Sequence, residues 1–339
     1  MGNGLPAMVR AATVASLGDA GTIAVTEQPL PERGQSEALI AVEYSAVNQV
    51  DTYVRSGAWR TPIPFPFTVG RDLVGTIVEV EPSTGFTAGQ RVWCNSMGHA
   101  GRQGACAEYV AVPVERLYHL PGDVDPIRAV ATFHPAATAH LALHHRAALR
   151  PGDTVLIAGA AGSVGSCATR FAADAGATVI ATARVEDHAR CLLLGAAQVF
   201  DYTVVVADTV AAVAPEGIDI YWDTSGHAEL NDVVALLRPG GTIVVTAGRQ
   251  PQPPTSLWPL YTNEITVTGF VISRATVDEL ADAARAINAL LRRHGSPVEI
   301  STVVPLDDTA RAHELVESHV RGRVVIAVRD PERLSPDRG

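Results

Sequence analysis

Hydrophobic and polar positions divide the chain into two regimes. Over residues 9 to 130, apolar positions alternate with polar ones or gather in short runs, at 11–16, 22–28, 38–44, 73–80, 91–94 and 107–112. Glycine and proline turns such as Pro29-Leu-Pro31, Gly89-Gln90 and Pro121-Gly122 separate them. Many short strands between frequent turns predict a small barrel. Residues 48–59 leave the strand period and predict a short helix and loop. The two prolines of Ile63-Pro-Phe-Pro-Phe67 exclude a central strand and predict a rigid, extended loop.

From about residue 129 strands and helices alternate. Residues 129–148 predict a helix, alanine- and leucine-rich, with His140, His144 and His145 decorating it. Strand, turn and helix follow at 154–176, then strand 178–183, helix 186–194, strand 198–200 and helix 207–214. Strand 218–222, helix 228–237, a Pro239-Gly-Gly241 turn and strand 242–247 come next, and strand 264–272 closes the series. This order predicts a doubly wound parallel sheet. Residues 277–293 predict a helix with Leu280, Ala284, Ile287 and Leu291 on one face. Strand 300–304, helix 309–320 and strand 323–328 end the ordered chain, and residues 331–339 read as a frayed tail.

Composition narrows the class. A length of 339 residues admits two domains, each with its own core. Hydrophobic content of 47% and charged content of 18% describe a soluble globular chain. The net charge of −10 argues against a nucleic-acid or anionic-membrane surface. No apolar run approaches the ~20 residues of a membrane span. Residues 1–10 carry neither a basic stretch nor an apolar core, so no signal peptide is expected, and Met8 is a second candidate start. Cys94, Cys106, Cys167 and Cys191 show no Cys-x-x-Cys spacing, which points to a reduced, cytoplasmic chain. All 26 basic residues are arginine, so lysine chemistry is excluded.

The strongest candidate chemistry lies at 154–165, Thr-Val-Leu-Ile-Ala-Gly-Ala-Ala-Gly-Ser-Val-Gly. An apolar strand breaks into Gly159, Gly162 and Gly165, and a helix follows from Ser163 with Val164, Ala168, Phe171 and Ala175 on one face. That geometry sets a helix N-terminus under a diphosphate. Ala160 stands where the common Gly-x-Gly-x-x-Gly pattern has its first glycine. About 20 residues on, an NAD-preferring site carries Asp or Glu. Here the strand tip is Arg184, which suits a 2′-phosphate through charge-assisted hydrogen bonds. Glu186 and Asp187 follow closely, so an NAD reading and an ordinary solvated Arg184 both stay open.

Six motifs carry a family resemblance along nearly the whole chain. They are Ala46-Val-Asn-Gln-Val-Asp-Thr-Tyr-Val-Arg-Ser-Gly57, Val69-Gly-Arg-Asp-Leu-Val-Gly75, Gly104-Ala-Cys-Ala-Glu-Tyr109, the glycine turn, Gly195-Ala-Ala-Gln-Val-Phe-Asp-Tyr202 and Leu237-Arg-Pro-Gly-Gly241. In order and spacing the sequence resembles the zinc-independent quinone oxidoreductase (zeta-crystallin-like) branch of the medium-chain dehydrogenase/reductase superfamily. The resemblance implies an α/β fold with a GroES-like catalytic β-barrel (1–128), a Rossmann NADPH-binding domain (129–275) and a C-terminal return to the barrel (276–330). It implies Tyr202 as a second phosphate contact and Thr138 as a nicotinamide contact. It extends the NADPH site over Gly159, Ala160, Gly162, Ser163, Val164, Gly165, Ser225, Ala247, Gly248, Phe270 and Ile272. Where the family often has a phosphate-binding lysine, His188 and Arg190 are the available substitutes.

In the zinc-dependent members a cysteine stands at the position of Asn48, and Gly-His-Glu at Gly70-Arg71-Asp72, so no metal is expected. Without metal or lysine, the cofactor carries the reaction and the protein orients it. A quinone, already electron-poor, suits such a site. The pocket is expected at the carboxyl ends of the Rossmann strands, lined by Asn48, Tyr53, Phe67, His134 and Ile272. Tyr53 matches the family tyrosine, and its phenol can donate to a developing oxyanion or relay a proton, or pack beside the barrel. Asn48 is placed on substrate or nicotinamide ribose. His134 stands where the family is apolar or aromatic; it marks a polar pocket or a helix-start histidine satisfied by backbone. The reaction expected is hydride transfer from NADPH to a quinone. Reduction of an enoyl or 2-alkenal C=C bond and a non-enzymatic, crystallin-like NADPH binder are the alternatives. The family's habit of pairing the Rossmann edge strand predicts a homodimer.

Overall fold

The computed structural model describes residues 4–203, 206–227, 229–248 and 254–329, with the side chains of 206 and 207 left aside. The expected 331–339 tail and the expected helix start at Ala228 lie outside the described residues. Two compact units emerge: the chain up to His134 together with the chain from Leu280 onward, and Pro135–Glu279.

The first unit opens with strands β1 (Met8–Val14), β2 (Ala24–Pro29) and β3 (Glu37–Val47), then helix α1 (Gln49–Ser56). Strands β4 (Phe67–Thr68), β5 (Asp72–Glu79), β6 (Arg91–Cys94), β7 (Tyr109–Pro113) and β8 (Tyr118–His119) follow, and helix α2 (Pro126–His140) leads out. Residues 48–59 form the helix and loop that their pattern predicts. The two-residue strands β4 and β8 are too short to show a period, which is why the sequence pattern passes over them.

The second unit holds β9 (Thr154–Ala158), α3 (Ser163–Asp174), β10 (Thr178–Ala183), α4 (His188–Leu193), β11 (Gln198–Asp201) and α5 (Val206–Val213). It continues with β12 (Ile218–Asp223), α6 (Leu230–Val234), β13 (Leu237–Val245), α7 (Trp258–Thr262) and β14 (Thr266–Gly269). Its six strands run parallel in the order β11-β10-β9-β12-β13-β14, a doubly wound sheet. Several boundaries differ from expectation, among them the 228–237 helix, which ends at Val234 before β13 opens at Leu237. The 129–148 helix changes at Leu141–Arg146 into a wider π-turn, where Ala147 N–H reaches Ala142 O at 2.9 Å. Pro239-Gly-Gly241 is not a turn before β13 but a bulge within it, since the pairing skips from Ile218↔Leu237 to Ile220↔Thr242. The 186–194 helix starts as a 3-10 turn, Val185–Asp187. The last strand ends at Gly269, and Ile272 lies in a 3-10 turn, Ile272–Arg274, not in a strand.

The chain then re-enters the first unit through α8 (Val277–His294), β15 (Ile300–Pro305), α9 (Thr309–Glu317) and β16 (Arg323–Ala327). Strand β16 pairs antiparallel with β3, so the C-terminal strands extend the sheet β15-β16-β3-β5-β6-β8. The sheet β2-β1-β4 closes against it through backbone bonds such as Ala12 N–H to Cys106 O, 2.8 Å. The expected domain borders at 128/129 and 275/276 shift to 134/135 and 279/280. Each lies inside a continuous helix, α2 or α8, so neither is marked by a loop signal. Trp93, fully buried on β6, stacks on Phe133 of α2 with ring centroids 4.1 Å apart. That contact, with the hydrogen bond from Trp93 Nε1 to Asn288 Oδ1 on α8 (3.2 Å), ties both helices to β6.

Candidate active site and nucleotide-binding turn

In the second unit, β9 delivers the chain to Gly159 at φ +76°, a left-handed conformation that favours glycine. A Cβ at Gly165 would stand 2.2 Å from Gly159 O and 2.7 Å from Ala160 Cα, both backbone atoms, so only glycine lets α3 start this close to the strand. Gly162 is the N-cap of α3, and its N–H donates to Gly159 O at 3.0 Å. The N–H groups of Ser163, Val164 and Gly165 are those an α-helix leaves without intrahelical acceptors. They sit under the turn together with the positive end of the helix dipole. Arg190 closes the turn from α4, donating to Ala161 O at 2.7 Å and Ser166 Oγ at 3.0 Å. Its guanidinium braces the turn.

Arg184 and Tyr202 follow two residues that pair in register, Ala183 on β10 and Asp201 on β11. They therefore leave the sheet side by side at its carboxyl edge. The Arg184 side chain is 67% exposed, with Glu186 at 4.0 Å, and Tyr202 is 60% exposed. A guanidinium and a phenol at adjacent strand tips fit a 2′-phosphate, and Arg184, not a carboxylate, follows the last residue of β10. The turn, the helix start and this pair fit a nicotinamide dinucleotide. At the ends of β12 and β13 the backbones approach closely: a Cβ on Gly226 would lie 2.6 Å from Gly248 N. The Ser225 hydroxyl donates to Asp223 Oδ1 at 2.7 Å, so it shapes this turn. Ala247 and Gly248 extend the same edge, and Arg146 lies over the Phe270 ring at 5.5 Å. Thr138 is half-buried on α2, and Ile272 is buried.

In the first unit, Asn48, Arg71 and Asp72 converge. Asn48 caps α1, and its backbone N–H donates to Asp51 Oδ2 at 2.8 Å. Its amide Nδ2 donates to Asp72 Oδ2 (3.0 Å) and to Asp51 Oδ2 (3.2 Å), and its Oδ1 accepts from Arg323 Nη2 (2.6 Å). Each polar atom of Asn48 thus has a protein partner, and the residue links the network. Arg323, the first residue of β16, also donates through Nε to Ala131 O on α2 (3.1 Å) and lies 3.8 Å from Asp72 Oδ2. Asp72 Oδ1 faces His134 Nδ1 at 4.0 Å. Arg71 is 1% exposed in the same cluster.

Burial dominates the electrostatics here. It pushes the Asp51 carboxyl up to about 6 against the pull of Arg71 and the Asn48 hydrogen bonds. It pushes Asp72 up to about 7, with Arg323 opposing and the neighbouring Asp51 charge assisting. His134 moves the other way, well below the usual imidazole range, through burial and the two cations Arg71 and Arg323. Asp51 and Arg323 are the members of this site that the sequence reading missed. Asp51 carried a signal, an acid three residues after a helix-capping Asn. Arg323 carried none. Tyr53 is half-buried on α1. Phe67, expected at the pocket, is instead 2% exposed inside the hydrophobic core, because β4 turns it inward.

The donor set also tests a zinc site. A zinc centre takes three or four thiolate, imidazole or carboxylate ligands. Here the cysteine position is Asn48, fully hydrogen-bonded, and the histidine position is the Arg71 guanidinium, a fixed cation that offers no lone pair. The residues do not fit zinc.

Comparison with known proteins gives the family. The family model for the alcohol dehydrogenase GroES-like domain matches residues 34–122, and that for a zinc-binding dehydrogenase matches 163–289. The quinone oxidoreductase of Lama guanicoe is 31% identical over 310 residues, covering 89% of this chain and 91% of the relative. That of Sus scrofa is 32% identical over 301 residues, covering 87% and 88%. The mycobacterial protein Rv1454c, solved in complex with NADPH, superposes with a TM-score of 0.80 at 29% identity, covering 94% of this chain and 99% of that one. No helix among the described residues is long and apolar enough to cross a membrane. The chain is an oxidoreductase of the α/β, GroES-like plus Rossmann type, and it belongs to the quinone oxidoreductase family of the medium-chain dehydrogenase/reductase superfamily.

Proposed function

We propose that the protein is an NADPH-dependent quinone oxidoreductase that works without metal. The observation that carries this reading is the donor set at Asn48, Arg71 and Asp72, a buried cluster with a hydrogen-bonded amide and a fixed guanidinium where a zinc site needs ligands. An electron-poor quinone accepts hydride without Lewis-acid activation, unlike an alcohol that must first be ionised. When bound, NADPH supplies a hydride. The protein's part is to hold the diphosphate at Ser163–Gly165, grip the 2′-phosphate with Arg184 and Tyr202, and orient the nicotinamide end through Thr138, Phe270 and Ile272. Tyr53 donates a hydrogen bond to the carbonyl oxygen that gains charge. Asn48 acts as a positioning residue for Asp72 and α1. The family name of the relatives and the NADPH complex of Rv1454c support the choice of substrate and cofactor.

The test is an NADPH-oxidation panel with ortho-quinones, 2-alkenals and enoyl thioesters. Turnover confined to quinones is expected and should survive exhaustive chelation. Turnover confined to the alkenes would replace the quinone by an activated C=C bond. Tight NADPH binding with no turnover would favour a non-enzymatic role.

The same reading includes a homodimer and a cytoplasmic location. Strand β14 is a sheet edge, and Leu257, Trp258, Tyr261 and Val267 lie exposed on or near it. Sedimentation should give twice the 35.6 kDa chain mass; a monomer at all concentrations would rule the pairing out. Four buried cysteines, none in a disulfide, suit a reducing compartment.

A further inference from the structure

We infer that Arg71, Arg102 and Arg116 form a binding site for a small carboxylate within the first unit. The inference goes beyond the quinone reductase reading and does not depend on it. A guanidinium taken out of water and left without an acceptor is costly, and the fold sets one such group beside two others.

Arg71 is the centre of the site. Its side chain is 1% exposed, and its Nε and Nη1 donate to no acceptor among the described residues. A guanidinium keeps its charge at any working pH, so burial does not neutralise it. The acids that act on it are Asp51 and Asp72. Both are held by Asn48: Asp51 Oδ2 accepts from its backbone N–H and its Nδ2, and Asp72 Oδ2 accepts from Nδ2. Burial also pushes the Asp72 carboxyl up to about 7, so near neutrality it offsets only part of a charge. Two of the three Arg71 nitrogens are thus left to a ligand that brings its own negative charge.

The segment after β6 adds the other two cations. Met97 N–H donates to Arg71 O at 3.2 Å, and a Cβ on Gly98 would stand 2.7 Å from Gly70 O, so this loop lies directly on the Gly70–Arg71 backbone. Ser96 fixes both arginines. Its carbonyl accepts from Arg102 Nε (3.2 Å) and Nη2 (3.0 Å), and its hydroxyl accepts from Arg116 Nη1 at 3.4 Å. Burial holds Arg71 and Arg102 below the usual guanidinium range, and the charge of Arg116 adds to this in both, against the pull of Asp51 and Asp72 on Arg71. The acid beside Arg116 is Glu115, 3.8 Å away, with a side chain 60% exposed. Cys94, whose thiol burial pushes up, stays neutral and adds no opposing charge. The cluster therefore grades from a partly open rim at Arg102 and Arg116 to a buried centre at Arg71, and a low-dielectric wall focuses its field on an arriving anion.

The chemistry selects the ligand. A carboxylate carries one negative charge on two coplanar oxygens, which match the planar donor fork of a guanidinium. A spherical anion supplies the charge without that match. The carboxylate belongs either to a free acid or to an acceptor that bears one.

The test uses the full chain, with acetate and benzoate as probes and chloride at equal ionic strength as the control. Both carboxylates should raise Tm along a saturating curve, and labelled acetate should show a broadened 13C-carboxylate resonance; chloride should do neither. Arg71→Leu should lose both responses, and Arg71→Lys, which keeps the charge without the fork, should bind about tenfold more weakly. Should the Arg71 variants fail to fold, Arg102→Gln and Arg116→Gln carry the test, each weakening binding about three- to tenfold. Steady-state kinetics with a neutral ortho-quinone separate the two sources: inhibition competitive with the quinone assigns the carboxylate to the acceptor, and noncompetitive inhibition assigns it to a free acid, either of which supports the site. The melting and NMR readouts need no turnover, so they stand if the quinone reading fails. No saturable carboxylate response in the wild type, an equal response to chloride, or wild-type binding in the Arg71 variants or, failing those, in both rim variants overturns the inference.

Discussion

Arg184 shows how much one side chain decides. It extends from the β10 tip beside Tyr202, and its guanidinium meets Glu186 only at 4.0 Å. A hydrogen bond to a charged group contributes ~1.5–3 kcal/mol. At 67% exposure solvent screens that toward the lower end. Arg184→Ala should therefore raise KM for NADPH about tenfold and leave KM for NADH unchanged, as steady-state kinetics with both cofactors will show. Equal changes for both would remove Arg184 from the 2′-phosphate. Its place at the strand tip is legible in the sequence, because the apolar strand pattern ends at Ala183. Arg190 is not legible in the same way: its type suits phosphate, and only the fold reveals that Ala161 O and Ser166 Oγ already hold it. Nor is Arg323, because Asn48, which it meets at 2.6 Å, lies 275 residues away in the chain. Contacts at that separation leave no local period or spacing to read.

At the scale of elements, the turn between β9 and α3 separates glycines that look equivalent in the sequence. A Cβ at Gly165 meets backbone at 2.2 Å, and neither Gly159 O nor Ala160 can retreat without moving the strand or the helix. At Gly162 the nearest atom is 3.2 Å away and φ is −69°. Gly165→Ala should lose NADPH binding in fluorescence titration and ~1–3 kcal/mol of stability in denaturant melts. Gly162→Ala should retain most of both. Equal damage from the two substitutions would mean that the phosphate, not the helix approach, sets the glycine requirement. Elements with a strong period were legible throughout: β9, α3, β10, β12 and α8 stand within a few residues of their patterns. The misreadings fall where hydrogen bonding changes without a change in residue type. The π-turn after His140 keeps a helical composition, and the bulge at Pro239-Gly-Gly241 carries turn residues inside a strand.

For the molecule as a whole, buried titratable groups pull stability in opposite directions with pH. Asp51 and Asp72 hold protons up to about 6 and about 7, above the 3.8 of a free carboxyl. Between those values the folded state binds more protons than the unfolded, so their contribution is complete below about 3.8 and is lost as pH rises toward 7. His313 on α9 behaves inversely. It is completely buried, neither ring nitrogen has a hydrogen-bond partner among the described residues, and burial beside Arg55 pushes it down to about 3. Between about 3 and 6.5 the unfolded state binds the extra proton, so the His313 contribution is complete above 6.5 and is lost as pH falls. Each such group changes stability by up to about 1.4 kcal/mol per pH unit inside its window. His134, also depressed by burial, adds its slope to that of His313, so two histidines oppose two carboxyls and the wild type should show a shallow profile from pH 4 to 6. His313→Leu removes the acid-side loss together with two unsatisfied polar atoms, at nearly constant packing. Its stability relative to wild type should therefore increase steadily as pH is lowered from 7 to 4 in urea unfolding. Parallel curves for the two proteins would mean that His313 gains a proton in the folded state as readily as in the unfolded, and that the carboxylates and His134 alone set the slope.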